Sequence, residues 1–147
     1  MNRVRYEDFT VGYKGRFTKK VTAEDNDRFA ELSGDHNPIH FDGALARRLG
    51  FAGRVSNGFV NESRIAAALV ATFGSADTTV VALEKNTRFL KPVYIGDEIT
   101  AEVEVIGRVE ALRALKIRAA CFNQKNEKVV ATRMTIRIYQ NSGDAGR

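Results

Sequence analysis

A chain of 147 residues with 44% apolar and 28% charged side chains can close one hydrophobic core, near the usual domain size of about 100–150 residues. Its net charge of +5 is dispersed, with Lys19-Lys20 and Arg47-Arg48 as the basic doublets. That leaves neither the basic stripe nor the interleaved aromatics of a nucleic-acid surface, and suits a small phosphate-bearing ligand better. The longest apolar run, Ile65 to Ala71, falls far short of the roughly 20 residues that span a bilayer. Met1 to Thr10 lacks the apolar stretch of a signal peptide, so a cytoplasmic protein with no membrane partner is expected.

Taken in chain order, Thr22-Ala23-Glu24-Asp25 opens a helix, with Thr22 as cap and Asp25 in a variant capping box. Gly34 closes it. Gly34-Asp35-His36-Asn37-Pro38-Ile39-His40-Phe41-Asp42 then forms a loop that Pro38 stiffens, because proline fixes its own φ and pushes Asn37 into an extended conformation. Both histidines of the chain, His36 and His40, lie here. Ala44 to Leu49 is predicted as a short helix ended by Gly50. Phe59 to Phe73, bounded by Gly58 and Gly74, is apolar around most of its second half, which predicts a helix buried on nearly all sides.

Downstream the periodicity changes. Val80 to Leu90, Glu98 to Gly107, Leu112 to Asn123 and Lys128 to Tyr139 are rich in β-branched residues, and the last alternates with period two. Gly96-Asp97 and Gln124-Lys125-Asn126-Glu127 supply the turns. Four strands after one long apolar helix predict an α+β domain whose antiparallel sheet wraps that helix. The sheet edges need cover, and pairing across a homodimer would provide it. A single domain is expected over residues 1–140, with a flexible tail over 141–147. The lone Cys121 excludes an internal disulfide and reads as a small apolar strand residue. With one cysteine and two clustered histidines, no zinc-type metal site is expected.

Phe29-Ala30-Glu31-Leu32-Ser33-Gly34-Asp35-His36-Asn37-Pro38-Ile39-His40-Phe41-Asp42 resembles the signature of the MaoC-like, (R)-specific enoyl-CoA hydratases, with the Gly-Asp-x-Asn-Pro-x-His core intact. Tyr6-Glu7-Asp8-Phe9-Thr10-Val11-Gly12 is similar to that family's opening segment. Arg88-Phe89-Leu90-Lys91-Pro92-Val93 with Gly96-Asp97 is similar to the strand and turn after its central helix. The resemblance covers roughly residues 5 to 140. It implies a hot-dog fold, a dimer, and hydration of a trans-2-enoyl-CoA to an (R)-3-hydroxyacyl-CoA without a cofactor. A 3-hydroxyacyl-ACP dehydratase is the nearest alternative, so the partner is an acyl-CoA or acyl-carrier-protein thioester. A thioesterase and a non-catalytic acyl-CoA-binding hot-dog protein are further readings.

Carried over residue by residue, the catalytic pair falls on Asp35 and His40, and the glycine whose N–H contacts the thioester falls on Gly58. Family members often carry His before that glycine; this chain has Asn57. His36 occupies the variable position of the motif and reads as a spectator. Asn37 either orients the loop or the water, or is a structural turn residue. Arg88 and Lys91 are the candidates for meeting the carrier's phosphates or pantetheine, with Arg47, Arg48 and Arg54 as others. An Asp–His pair on one face suits syn addition, one group taking a proton from water and the other returning one to carbon.

Overall fold

The computed structural model describes residues 3–143. The helix predicted from Thr22 is α1 (Ala23–Ser33), and its capping box is present: Asp25 N–H donates to Thr22 Oγ1 at 3.2 Å and Thr22 N–H to Asp25 Oδ2 at 3.0 Å. A short α2 (Gly43–Arg48) and the long α3 (Gly58–Phe73) follow. The β-branched segments become β2 (Thr78–Phe89), β3 (Glu98–Val109), β4 (Ala114–Phe122) and β5 (Lys128–Gln140). The strand expected from Leu112 starts two residues later, because Glu110–Leu112 form a 3-10 turn and Arg113 turns the chain at φ 48°.

A further strand, β1 (Lys14–Lys20), completes a five-stranded sheet of order β1-β3-β4-β5-β2 in which every pairing is antiparallel. Its sequence, KGRFTKK, carries little of the apolar alternation that marks a strand, since Phe17 is its one large apolar side chain. Its charges specify its place. Lys14, Arg16 and Lys20 stand opposite Glu104, Glu102 and Glu98 on β3, and opposite charges across a strand pair are favourable. Gly15 meets α3, where an added Cβ would land inside the Thr72 side chain, so only glycine permits this approach.

The sheet curves around α3. Val60, Ile65, Ala68, Leu69 and Phe73 of the helix join Val103 and Val105 of β3, Leu115 and Ile117 of β4 and Met134 and Ile136 of β5 in one buried cluster. Two charged helix residues are buried within this layer, and both are paired. Glu62 accepts from Lys85 and from Thr87 Oγ1, the latter at 2.6 Å; Arg64 donates to Asp25 at 3.0 Å and to the Lys20 carbonyl at 3.0 Å.

The helix is not enclosed on all sides, as its apolar composition had suggested. Phe59 is 57% and Val70 62% exposed, and Ser63 and Ala66 lie on the same bare stripe. Leu83, Phe89 and Leu90, in and just beyond β2, are exposed on that side of the molecule as well. β2 is the last strand on that side, so among the described residues nothing pairs with its outer edge, and this stripe of the helix stays exposed. At the carboxyl end, Asn141 is tied down, its N–H donating to the Asp77 carbonyl at 2.8 Å and its Nδ2 to the Ala76 carbonyl at 2.9 Å. The remainder of the expected tail, residues 144–147, lies outside the described residues. Among the described residues no helix is long and apolar enough to cross a membrane.

Candidate functional site

The loop after α1 is shaped by its own side chains. Gly34 takes φ 82°, the left-handed conformation that ends the helix. Ser33 Oγ donates back to the Phe29 carbonyl at 2.6 Å and accepts Asp35 N–H at 3.0 Å. Asp35 Oδ1 then accepts the Asn37 N–H at 3.1 Å, an Asx-type turn. Pro38 begins a single 3-10 turn, Pro38–His40, that swings the imidazole of His40 inward.

His40 Nδ1 lies 2.9 Å from the Val55 carbonyl. A carbonyl only accepts, so the proton sits on Nδ1, and Nε2 is the atom free to gain or lose one. Arg54 ties the loop to α1: its Nε donates to the His40 carbonyl, its Nη2 to Asp27 at 3.0 Å, and its guanidinium lies 5.1 Å over the Phe41 ring. Val55 and Ser56 are fixed in turn, Val55 N–H on the Ile39 carbonyl at 3.2 Å and Ser56 N–H on the Val93 carbonyl at 2.7 Å.

The mouth of α3 meets this loop through Asn57. Its Nδ2 donates to Asp35 Oδ2 at 2.8 Å, while its Oδ1 caps the helix by accepting the Phe59 N–H at 2.9 Å. Val60 and Asn61 donate to the Asn57 carbonyl. Among the described residues no partner takes the Gly58 N–H, the remaining first-turn donor, at the positive end of the helix dipole. The ring of Phe89 presses on Gly58: a Cβ there would stand 2.8 Å from Phe89 Cε1. Phe89 packs edge-on against Phe59 at 6.1 Å, and Phe59 stacks on Phe29 at 5.9 Å, so an aromatic strip borders the helix mouth.

Asp35 is held below its ordinary value, chiefly by the Asn37 N–H; burial opposes this, and the Asn57 amide and the neighbouring His40 and His36 add to the lowering. Behind the site, Asn26, Ser56, Asn57 and Asn61 are all buried and satisfy one another. Asn57 N–H donates to Asn26 Oδ1 at 2.7 Å and Ser56 Oγ to Asn61 Oδ1 at 2.7 Å. Sequence reasoning passed over this network. Its only trace was a run of short polar residues ahead of an apolar helix.

The sequence-predicted residues therefore divide. Asp35, Asn37 and Gly58 come together at Asn57, and His40, on the same loop, is near enough to act on the charge of Asp35. Arg88 does not join them: it pairs with Ala131 while its neighbour Phe89 pairs with buried Val130, so Arg88 projects from the opposite face of the sheet. There it lines a concavity of about 880 Å³ with Arg16, Arg118 and Arg133, which includes none of Asp35, His40 or Gly58. Lys91 is held by Glu127 at 2.6 Å. Cys121 is fully buried, and that burial pushes its thiol up to about 12, as suits a core residue. Among the described residues no three His, Cys, Asp or Glu side chains converge as metal ligands.

The model of the MaoC like domain matches residues 9–121. A mitochondrial 3-hydroxyacyl-[acyl-carrier-protein] dehydratase of Arabidopsis thaliana is 37% identical over 122 residues, 82% of this chain and 71% of that protein. An (R)-specific enoyl-CoA hydratase of Aeromonas caviae is 32% identical over 137 residues, 93% of this chain and 88% of that one. The unliganded R-hydratase PhaJ1 of Pseudomonas aeruginosa superposes with a TM-score of 0.80 at 28% identity, covering 94% of this chain and 90% of that structure. The sheet wrapped around α3 is the hot-dog fold.

Proposed function

We propose, for a chain that belongs to the MaoC-like domain family, that it is a hydro-lyase adding water reversibly to a trans-2-enoyl thioester to give the (R)-3-hydroxyacyl thioester. The observation that carries this reading is Asn57 holding Asp35 beside the unclaimed Gly58 N–H, with His40 on the same loop and bonded through Nδ1 to Val55. In the hydration direction Asp35 takes a proton from water as its oxygen bonds C3. The π electrons move through C2 onto the thioester oxygen, which the Gly58 N–H stabilises as an enolate. As the enolate collapses, protonated His40 Nε2 delivers a proton to C2, and the two side chains then exchange the proton to reset. Addition of both groups from one side gives the syn outcome. Asn37 serves here by holding Asp35 through its backbone N–H.

The acyl carrier is coenzyme A in the first reading. The 37% identity to a mitochondrial acyl-carrier-protein dehydratase favours a second, dehydration of a carrier-protein thioester by the same residues. The bare flank of α3 and the open edge of β2 support a homodimer, in which a second copy covers Phe59, Val70 and Leu83. Arg88 and Lys91 meet the carrier from outside the Asp35–His40 cluster.

The experiment is hydration of crotonyl thioesters by purified protein, with coenzyme A and carrier-protein forms compared and the product's hand determined. Asp35→Asn and His40→Ala are each expected to slow turnover by roughly 10²–10⁴-fold, the scale of a general acid–base contribution. Absence of wild-type turnover on thioesters of every chain length and both carriers would end this reading.

A further inference from the structure

The Asn57 side chain has a fixed orientation. Its Oδ1 accepts a backbone N–H, which can only donate, so the amide cannot be reversed and Nδ2 must face Asp35. Its own backbone is anchored as well, through Asn26 Oδ1, and the residue is 4% exposed. A group locked at both ends is more than a helix cap. The carboxylate it touches receives one neutral donor on each oxygen, Asn37 N–H on Oδ1 and Asn57 Nδ2 on Oδ2, which fixes the plane of the group and leaves a lone pair on each for water.

We infer that Asn57 is a positioning residue that clamps the Asp35 carboxylate, setting its aim and helping to hold it ionised. The inference rests on the proposed role of Asp35 as the group that meets water. An amide suits the task because it stabilises the anion without titrating itself. Among the described residues no charged group is hydrogen-bonded to the Asp35 carboxylate, although His36 and His40 favour its anion. His36 and His40 share its loop, and His40 Nδ1 is bonded to Val55. Asp27, from α1, is taken by Arg54. The first turn of α3 has no acidic residue, and Glu62 and Arg64 deeper in the helix are paired with Lys85 and Asp25. Arg88 of β2 lies across the sheet.

Two substitutions separate clamping from capping. Asn57→Ser keeps a capping hydroxyl that ends one bond short of the amide nitrogen. Asn57→Asp keeps the capping oxygen and turns the donor into a second carboxylate oxygen facing Asp35. Both are expected to lower kcat/KM by roughly 10- to 100-fold, the usual weight of a hydrogen bond to a charged group. In both the acid limb of the pH profile moves to higher pH, further for Asn57→Asp, with KM little changed. Acid limbs that coincide with wild type in the folded variants would reduce Asn57 to a helix cap and overturn the inference. If neither variant folds, the wild-type protein decides: the Asn57 side-chain amide resonances must move with the Asp35 titration, and resonances that stay flat overturn it. A wild-type protein with no hydratase activity would instead reject the functional reading, while the resonances would still report whether the clamp exists.

Discussion

The two flanks of α3 are built from similar apolar side chains and end in opposite conditions. Toward β3, β4 and β5 the helix meets strands whose inward residues are closed over, and Phe73, Ile117 and Ile136 have no accessible surface. Toward β2 it presents Phe59 and Val70 to solvent, next to an edge strand carrying Leu83. Apolar composition alone does not separate a core from an unfinished interface; the difference lies in which strands remain to cover each side. The candidate site stands at the open flank, where the helix mouth, Phe59 and Phe89 border it.

Substitutions on the two flanks should therefore differ in kind. The largest effect is expected on the closed side, where Phe73→Ala should cost about 3–5 kcal/mol by leaving a cavity among packed neighbours. Chemical denaturation would show this loss at every protein concentration. Gly15→Ala comes next, at about 1–3 kcal/mol, since the added methyl forces β1 and α3 apart; the same measurement reads it. On the open side, Leu83→Glu should change the stability of a single chain by no more than about 0.5 kcal/mol, as is usual for an exposed position. Its effect should appear as dissociation of the proposed homodimer, read by sedimentation. A dimer that survives Leu83→Glu unchanged would mean that the open flank is not where two copies meet.

The helices were legible because their signals are local. Thr22 with Asp25, and Gly34 after Ser33, are read within a few residues of one another, and the structure places α1 between them. β3, β4 and β5 were legible because period-two burial repeats along each strand. β1 was not, because its evidence lies elsewhere in the chain: Lys14, Arg16 and Lys20 make sense only beside Glu104, Glu102 and Glu98. The site divided in the same way. Asp35 and His40 stand in one short motif, whereas Asn57 acquires its meaning from a carboxylate 22 residues away. Arg88 and Phe89 show the limit from the other side, since adjacency along a strand sends neighbours to opposite faces.

By itself the amino-acid order determined the helices, β2 to β5, their turns and the stiffened loop that carries Asp35 and His40, because caps, glycine conformations and hydrophobic periodicity act over a few residues. Tertiary structure alone decided that Asn57 holds Asp35, that Arg88 faces away from it, and that one flank of the central helix is left bare. Those outcomes depend on sheet order and curvature, which bring distant residues together and which no short stretch of the chain encodes.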